Sequence, residues 1–172
     1  MSPKPVPRIV VSLADFDIAA ELERLQADAG AVASFVGVVR GQVDGRPLAA
    51  LTLEHYPGMT EAALTGIAEM AMGRWTLTDC TIIHRVGRLE PGARIVLAAA
   101  ASAHRADALE ATAFLIDWLK TDAPFWKRED FADGASQWVD AREKISRMSR
   151  LIYFHGTEFI IQSIASSLKL FY

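Results

Sequence analysis

Residues 80–100 read CTIIHRVGRLEPGARIVLAAA, and this stretch decides the fold class. Two β-rich runs, Cys80 to Val86 and Arg94 to Ala100, flank the tetrapeptide Leu89-Glu90-Pro91-Gly92. Proline presets φ and glycine accepts positive φ, so the tetrapeptide is a good turn and the two runs predict an antiparallel hairpin. Downstream, Ser102 can cap a helix beginning near Ala103, with an inner stripe of Ala108, Ala111, Thr112, Leu115, Trp118 and Leu119 and a stop at Pro124. Upstream, Leu64, Ile67, Ala68, Ala71, Met72 and Trp75 also fall at helical spacing. Before them, Val32 to Arg40 is β-rich and reaches the turn Gly41-Gln42-Val43-Asp44-Gly45, after which Leu48 to His55 alternates, predicting a first hairpin. At the start, the run Arg8 to Leu13 reads as a strand, Asp15 caps a helix through about Ala29, and Gly30 ends it. The order β-α-β-β-α-β-β-α predicts an α+β fold with helices on one face of a mixed or antiparallel sheet, not a doubly wound parallel one.

Composition narrows the function classes. The 172 residues make one domain's worth of chain, 51% hydrophobic and 23% charged, which excludes a disordered or coiled-coil array. Eighteen basic against twenty-one acidic side chains leave a formal charge of -3, so no global cationic field recruits nucleic acid or anionic lipid, and any anion must be gripped locally. The longest apolar run, Ile95 to Ala101, falls far short of the ~20 residues that cross a bilayer. The lone Cys80 excludes an intramolecular disulfide framework and a cysteine-based zinc site, and the expected compartment is the reducing cytoplasm. His55, His84, His104 and His155 show no close metal-ligand spacing, so no metal site is expected.

Three places could carry anion chemistry. Ser102-Ala103-His104-Arg105 sets an imidazole and a guanidinium in the first turn of a predicted helix, where free N–H groups and the dipole favour an anion. On the residues alone, a satisfied cap and a solvated arginine are the simpler reading. Lys120 and Lys127 lie on either side of the Pro124 break and can converge, with Trp118, Phe125 and Trp126 available to bury their stems; they also read as solvated helix-end charges. Arg40 ends a strand just before a glycine turn, a position where sheets present functional side chains and also where plain surface arginines sit.

Taken together, the segments resemble the large, catalytic subunit of molybdopterin synthase. The blocks that carry the resemblance are Phe35-Val36-Gly37-Val38-Val39-Arg40, Leu53-Glu54-His55-Tyr56-Pro57-Gly58-Met59, His84-Arg85-Val86-Gly87 with Pro91-Gly92, Ser102-Ala103-His104-Arg105, and Asp117-Trp118-Leu119-Lys120 through Pro124-Phe125-Trp126-Lys127. They stand in the family's order, over roughly Ile9 to Arg142.

The resemblance implies an α/β hammerhead fold with an added small antiparallel β subdomain, and a homodimer within a heterotetramer. It implies a small ubiquitin-like partner whose C-terminal Gly-Gly tail, as a thiocarboxylate, enters the large subunit. Two sulfurs then pass to cyclic pyranopterin monophosphate to form the molybdopterin dithiolene, with no cofactor of the large subunit's own. Carried onto matching positions, Lys120 and Lys127 become the catalytic groups and Arg40, His104 and Arg105 hold substrate anions. Arg142 matches an arginine that reaches the neighbouring subunit's site. The expected organisation is an arm over 1–7, the catalytic domain over 8–144, and an atypical apolar extension over 145–172. A non-catalytic adaptor for a ubiquitin-like tail is the alternative, but docking alone needs at most one countercharge and leaves the second lysine unexplained.

Overall fold

A computed structural model describes residues 5–121 and 123–139; Arg142 and the extension 145–172 lie outside the described residues. The predicted hairpin forms its centre. Strand β5 (Leu77–Arg85) and strand β7 (Arg94–Ser102) pair antiparallel, with Cys80 opposite Ala100 and Ile82 opposite Ala98. The free edge of β7 takes β2 (Ala31–Val38) antiparallel, and that of β5 takes β1 (Arg8–Ser12) parallel, giving the order β1-β5-β7-β2.

Leu97 to Ala101 are all buried, because this run of small and apolar residues has no polar member to turn toward water. Both faces therefore need cover. Cys80, Ile82, Ala98 and Ala100 pack on Leu64, Ile67 and Ala71 of α2 (Met59–Arg74) and on Ala111, Leu115 and Leu119 of α3 (Arg105–Thr121). Ile83, Leu97, Ala99 and Ala101 face the other way, against Phe16 and Leu25, the latter closing α1 (Ile18–Leu25). The expectation of helices on one face is corrected: α1 covers the second. Its cap is Asp17, whose side chain accepts from the amides of Ala19 and Ala20 at 2.9 and 3.2 Å, while Asp15 is engaged with the Arg94 guanidinium.

A second sheet, order β3-β4-β8-β9, is built from β3 (Gln42–Val43), β4 (Arg46–His55), β8 (Phe125–Phe131) and β9 (Ser136–Trp138). Strand β6 (Gly87–Leu89), inside the connection between β5 and β7, also pairs with β4. This corrects the predicted first hairpin. β2 and β4 belong to different sheets, the chain crosses between them after Val38, and the hairpin is β3 with β4 around Asp44 and Gly45. Both turn residues have positive φ, 49° and 79°, the conformation whose twist suits a two-residue hairpin loop. Gly87 is needed where β5 hands the chain to β6: its φ is 81°, and a Cβ there would meet Leu13 Cδ2 at 2.6 Å. Val39, Leu48, Leu51, Leu53, Leu89 and Phe131 form this sheet's own core. Among the described residues, no helix is long and apolar enough to cross a membrane.

Candidate active site

Strand β8 sorts its side chains by parity. Phe125, Lys127, Glu129 and Phe131 share one face, and Trp126, Arg128 and Asp130 share the other. On the first face Glu129 is only 3% exposed, an unusual place for a carboxylate, and it is fully engaged. Its Oε1 accepts from Lys127 Nζ at 2.8 Å and its Oε2 from Gln137 Nε2, on β9, at 3.2 Å. Burial pushes the Glu129 carboxyl up, but the bonds from Lys127 and Gln137 and the positive charge of Arg40 together outweigh it and hold its pKa below the ordinary 4.5.

Arg40 reaches this neighbourhood because Val39 is pinned: its amide donates to Ala93 O and its carbonyl accepts from Gly92 N, each at 2.9 Å. The structure thus sets Lys127 directly on one buried carboxylate, with Arg40 near enough for its charge to act on it. The Lys127 side chain stays 38% exposed, and one of its three donors is spent on Glu129, so it can still present N–H groups to an incoming anion.

Lys120 is exposed in the last turn of α3, seven residues before Lys127 and across the chain reversal at Pro124. That reversal is anchored by a ring stack: Phe125 lies on His84 of β5, centroids 3.8 Å apart and planes 17° from parallel. His84 Nδ1 is also 2.8 Å from Arg85 O. The aromatics expected to shield the lysine stems go elsewhere. Phe125 packs on His84, Trp118 packs beside Phe114, and Trp126 emerges on the opposite face from Lys127.

His104 and Arg105 open α3 as expected, and Ser102 does act there, its Oγ accepting from His104 N at 3.1 Å and donating to Thr76 O at 2.8 Å. The helix itself starts at Arg105, because β7 continues through Ser102. Arg105 lines a groove of about 600 Å³ between α3 and the edge strand β2, which runs along the helix from Arg105 to Asp117 and includes neither lysine in its lining. Arg105 and Lys120 are 15 residues apart on one helix, hence about 22 Å apart along its axis. One chain therefore does not gather all the expected anion-holding residues into one pocket. Arg142 lies outside the described residues.

The other candidates are bland. Cys80 is fully buried, and burial pushes its thiol up to about 12, which leaves no thiolate to carry sulfur. His55 Nε2 sits 3.9 Å from Glu61 Oε1. Among the described residues, no cluster of three or more His, Cys, Asp or Glu is set to hold a metal ion. Sequence reasoning missed Glu129 and Gln137. The available signal was the i, i+2 spacing of Lys127 and Glu129, which puts them on one face only once 125–131 is read as a strand.

Comparison with known proteins shows the family. The family described as "MoaE protein" matches residues 11–122. A molybdopterin synthase catalytic subunit of Ralstonia nicotianae is 54% identical over 140 residues, spanning 80% of this chain and 79% of its own. Among solved structures, the molybdopterin biosynthesis MoaE protein of Burkholderia ambifaria MC40-6 superposes with a TM-score of 0.68 at 46% identity, covering 83% of this chain and 98% of its own. The molybdopterin synthase structure from Staphylococcus aureus gives a TM-score of 0.70 at 32% identity, covering 77% and 96%. With the family match over residues 11–122 and this likeness over most of its length, the chain belongs to the MoaE family, whose relatives are molybdopterin synthase catalytic subunits.

Proposed function

We propose that the chain is the sulfur-transferring large subunit of a molybdopterin synthase, taking sulfur from the C-terminal thiocarboxylate of a small ubiquitin-like carrier and delivering it to cyclic pyranopterin monophosphate. The observation that carries the reading is the Lys127 ammonium held on the buried Glu129 carboxylate beside Arg40. Substrate and donor are both anions, so they repel unless fixed cations hold them together. Lys127 and Lys120 stabilise charge that develops on the reacting atoms and move protons, and Arg40 grips an anionic group. Glu129 orients Lys127, so little reorganisation is needed as the reaction proceeds.

His104 and Arg105 hold the phosphate end of the pterin from a second copy of the chain. The support is the helix length: the two ends of α3 are too far apart to serve one substrate, and a dimer in which the start of one α3 approaches the partner's lysines removes the conflict. Arg142 reaches the neighbouring site in the same way. Two large subunits, each with its carrier, make the heterotetramer. A relative named as a catalytic subunit has a partner subunit by implication. The catalytic domain spans 8–144 and works in the cytoplasm, and the two-sheet arrangement is the α/β hammerhead with its small antiparallel subdomain. The extension 145–172 is dispensable for chemistry. The test is conversion of cyclic pyranopterin monophosphate by this chain with thiocarboxylated carrier: dithiolene product is expected, and its absence with a folded, carrier-bound protein overturns the reading.

A further inference from the structure

The second sheet has an outer face, and the chemistry so far uses none of it. There, Trp126 stands directly across from Glu54 on the paired strand, and Trp138 across from Arg128. Glu54, His55, Tyr56, Trp126 and Trp138 line a recess of about 380 Å³. Its three aromatic side chains are left 61% (Tyr56), 52% (Trp126) and 52% (Trp138) exposed, a cluster of large rings in water that a fold gains nothing by keeping open.

We infer that this recess receives one basic side chain, a guanidinium or ammonium, from the body of the small carrier subunit. The inference rests on the carrier-dependent function proposed above. Aromatic faces carry negative quadrupole charge and attract cations, and a carboxylate at the rim adds a full negative charge. Glu54 supplies it: among the described residues it has no ion-pair partner, whereas Arg128 and Arg88, both paired in register with Thr52 two residues before it, are held on Asp130 at 2.9 and 3.0 Å. The Trp138 ring already lies 5.6 Å from the Arg128 guanidinium, so a cation beside these rings has a precedent in the same sheet. Position points to the carrier. Trp126 precedes Lys127 on β8, so a tail whose end reaches Lys127 on the inner face brings its parent domain to the rim of this narrow sheet, whose edge strand β9 has only three residues.

The experiment measures carrier affinity by calorimetry for the full chain, with intact carrier and with carrier lacking its terminal Gly-Gly. Trp126→Leu, which keeps apolar area but removes the π face, is expected to weaken both complexes about 3- to 30-fold. Glu54→Gln, an isosteric change on a different strand, is expected to weaken them about 3-fold and to flatten the salt dependence. In turnover, the KM for carrier should rise while kcat at saturating carrier holds. Replacing the carrier's basic residues singly should reveal one whose loss is non-additive with Glu54→Gln. Unchanged affinity in both variants overturns the recess as a docking site. Loss on Trp126→Leu with no effect of Glu54→Gln or of salt means an apolar anchor and overturns the cationic occupant. Failure of the unmodified chain to bind any carrier overturns the carrier reading itself, a result distinct from either.

Discussion

The two sheets are built on opposite terms. In the first, the buried side chains of β5 and β7 are mostly alanine, leucine and isoleucine, with Thr81, His84 and Ser102 the buried polar ones, and two helices cover one face and a third the other. In the second, a carboxylate at 3% exposure shares a face with a lysine, and tryptophans stand in water on the other side. Helix cover makes the first sheet rigid and chemically silent. Among the described residues no helix packs over the second, so its side chains meet solvent, and polar groups such as Lys127 can be half-buried there without being sealed.

The contrast is broken most forcefully from the first sheet. Leu115, on α3, is fully buried between the helices and the first sheet, so Leu115→Ala should cost about 2–5 kcal/mol of stability, read from denaturant midpoints at unchanged m-value. Loss below 1 kcal/mol would show that this core is looser than its burial implies. Next, Lys127→Ala should cut sulfur transfer at least ~10²-fold while circular dichroism stays near wild type, the loss of Glu129's ion-pair partner lowering the melting temperature without unfolding the chain. Near-normal turnover would remove Lys127 from the catalytic groups.

A smaller effect separates positioning from charge. Glu129→Gln keeps the shape but frees Lys127, and turnover should fall on the order of tenfold. Its pH signature is directional. The folded pKa of Glu129 lies below 4.5, so its stabilising contribution is complete above that value and is lost as pH falls through the folded pKa. Wild type should therefore lose stability more steeply than Glu129→Gln in acid titrations below pH 4.5, and parallel acid limbs would refute the pairing. Smallest of all, Arg8→Ala removes an exposed pair with Glu21 at 2.8 Å on the first sheet's rim and should change stability by less than about 1 kcal/mol, with activity intact.

How legible each sheet was in the sequence follows from the same contrast. The β5–β7 hairpin announced itself because apolar runs met a proline–glycine turn, and α2 and α3 because their inner stripes keep helical spacing. β8 was invisible as a strand. Its inner face holds Lys127 and Glu129, which satisfy each other, and its outer face holds Trp126 between charges, so hydropathy shows no alternation. The same cause hid Glu129 as a site residue, since a carboxylate next to a lysine reads as surface until the strand is known. The β2–β4 hairpin was misread because a strand, a glycine turn and a strand look alike whether the chain folds back or crosses to another sheet. Arg40 and the two lysines were reachable by resemblance, but the distance between the ends of α3 could only come from a helix of known length.

The order of the strands also sets a schedule. β4 is complete at His55, yet its partner β8 begins 70 residues later, at Phe125. At about 5–20 residues per second of synthesis, that interval is roughly 4–14 s. Through it, Leu48, Leu51 and Leu53 wait without Phe131, only the short β6 arriving to pair with them meanwhile. Every strand of the first sheet precedes β8 in the chain, so that sheet can assemble first while Lys127 is still unplaced, leaving one strand edge of β4 open to chaperones or to other chains until β8 emerges.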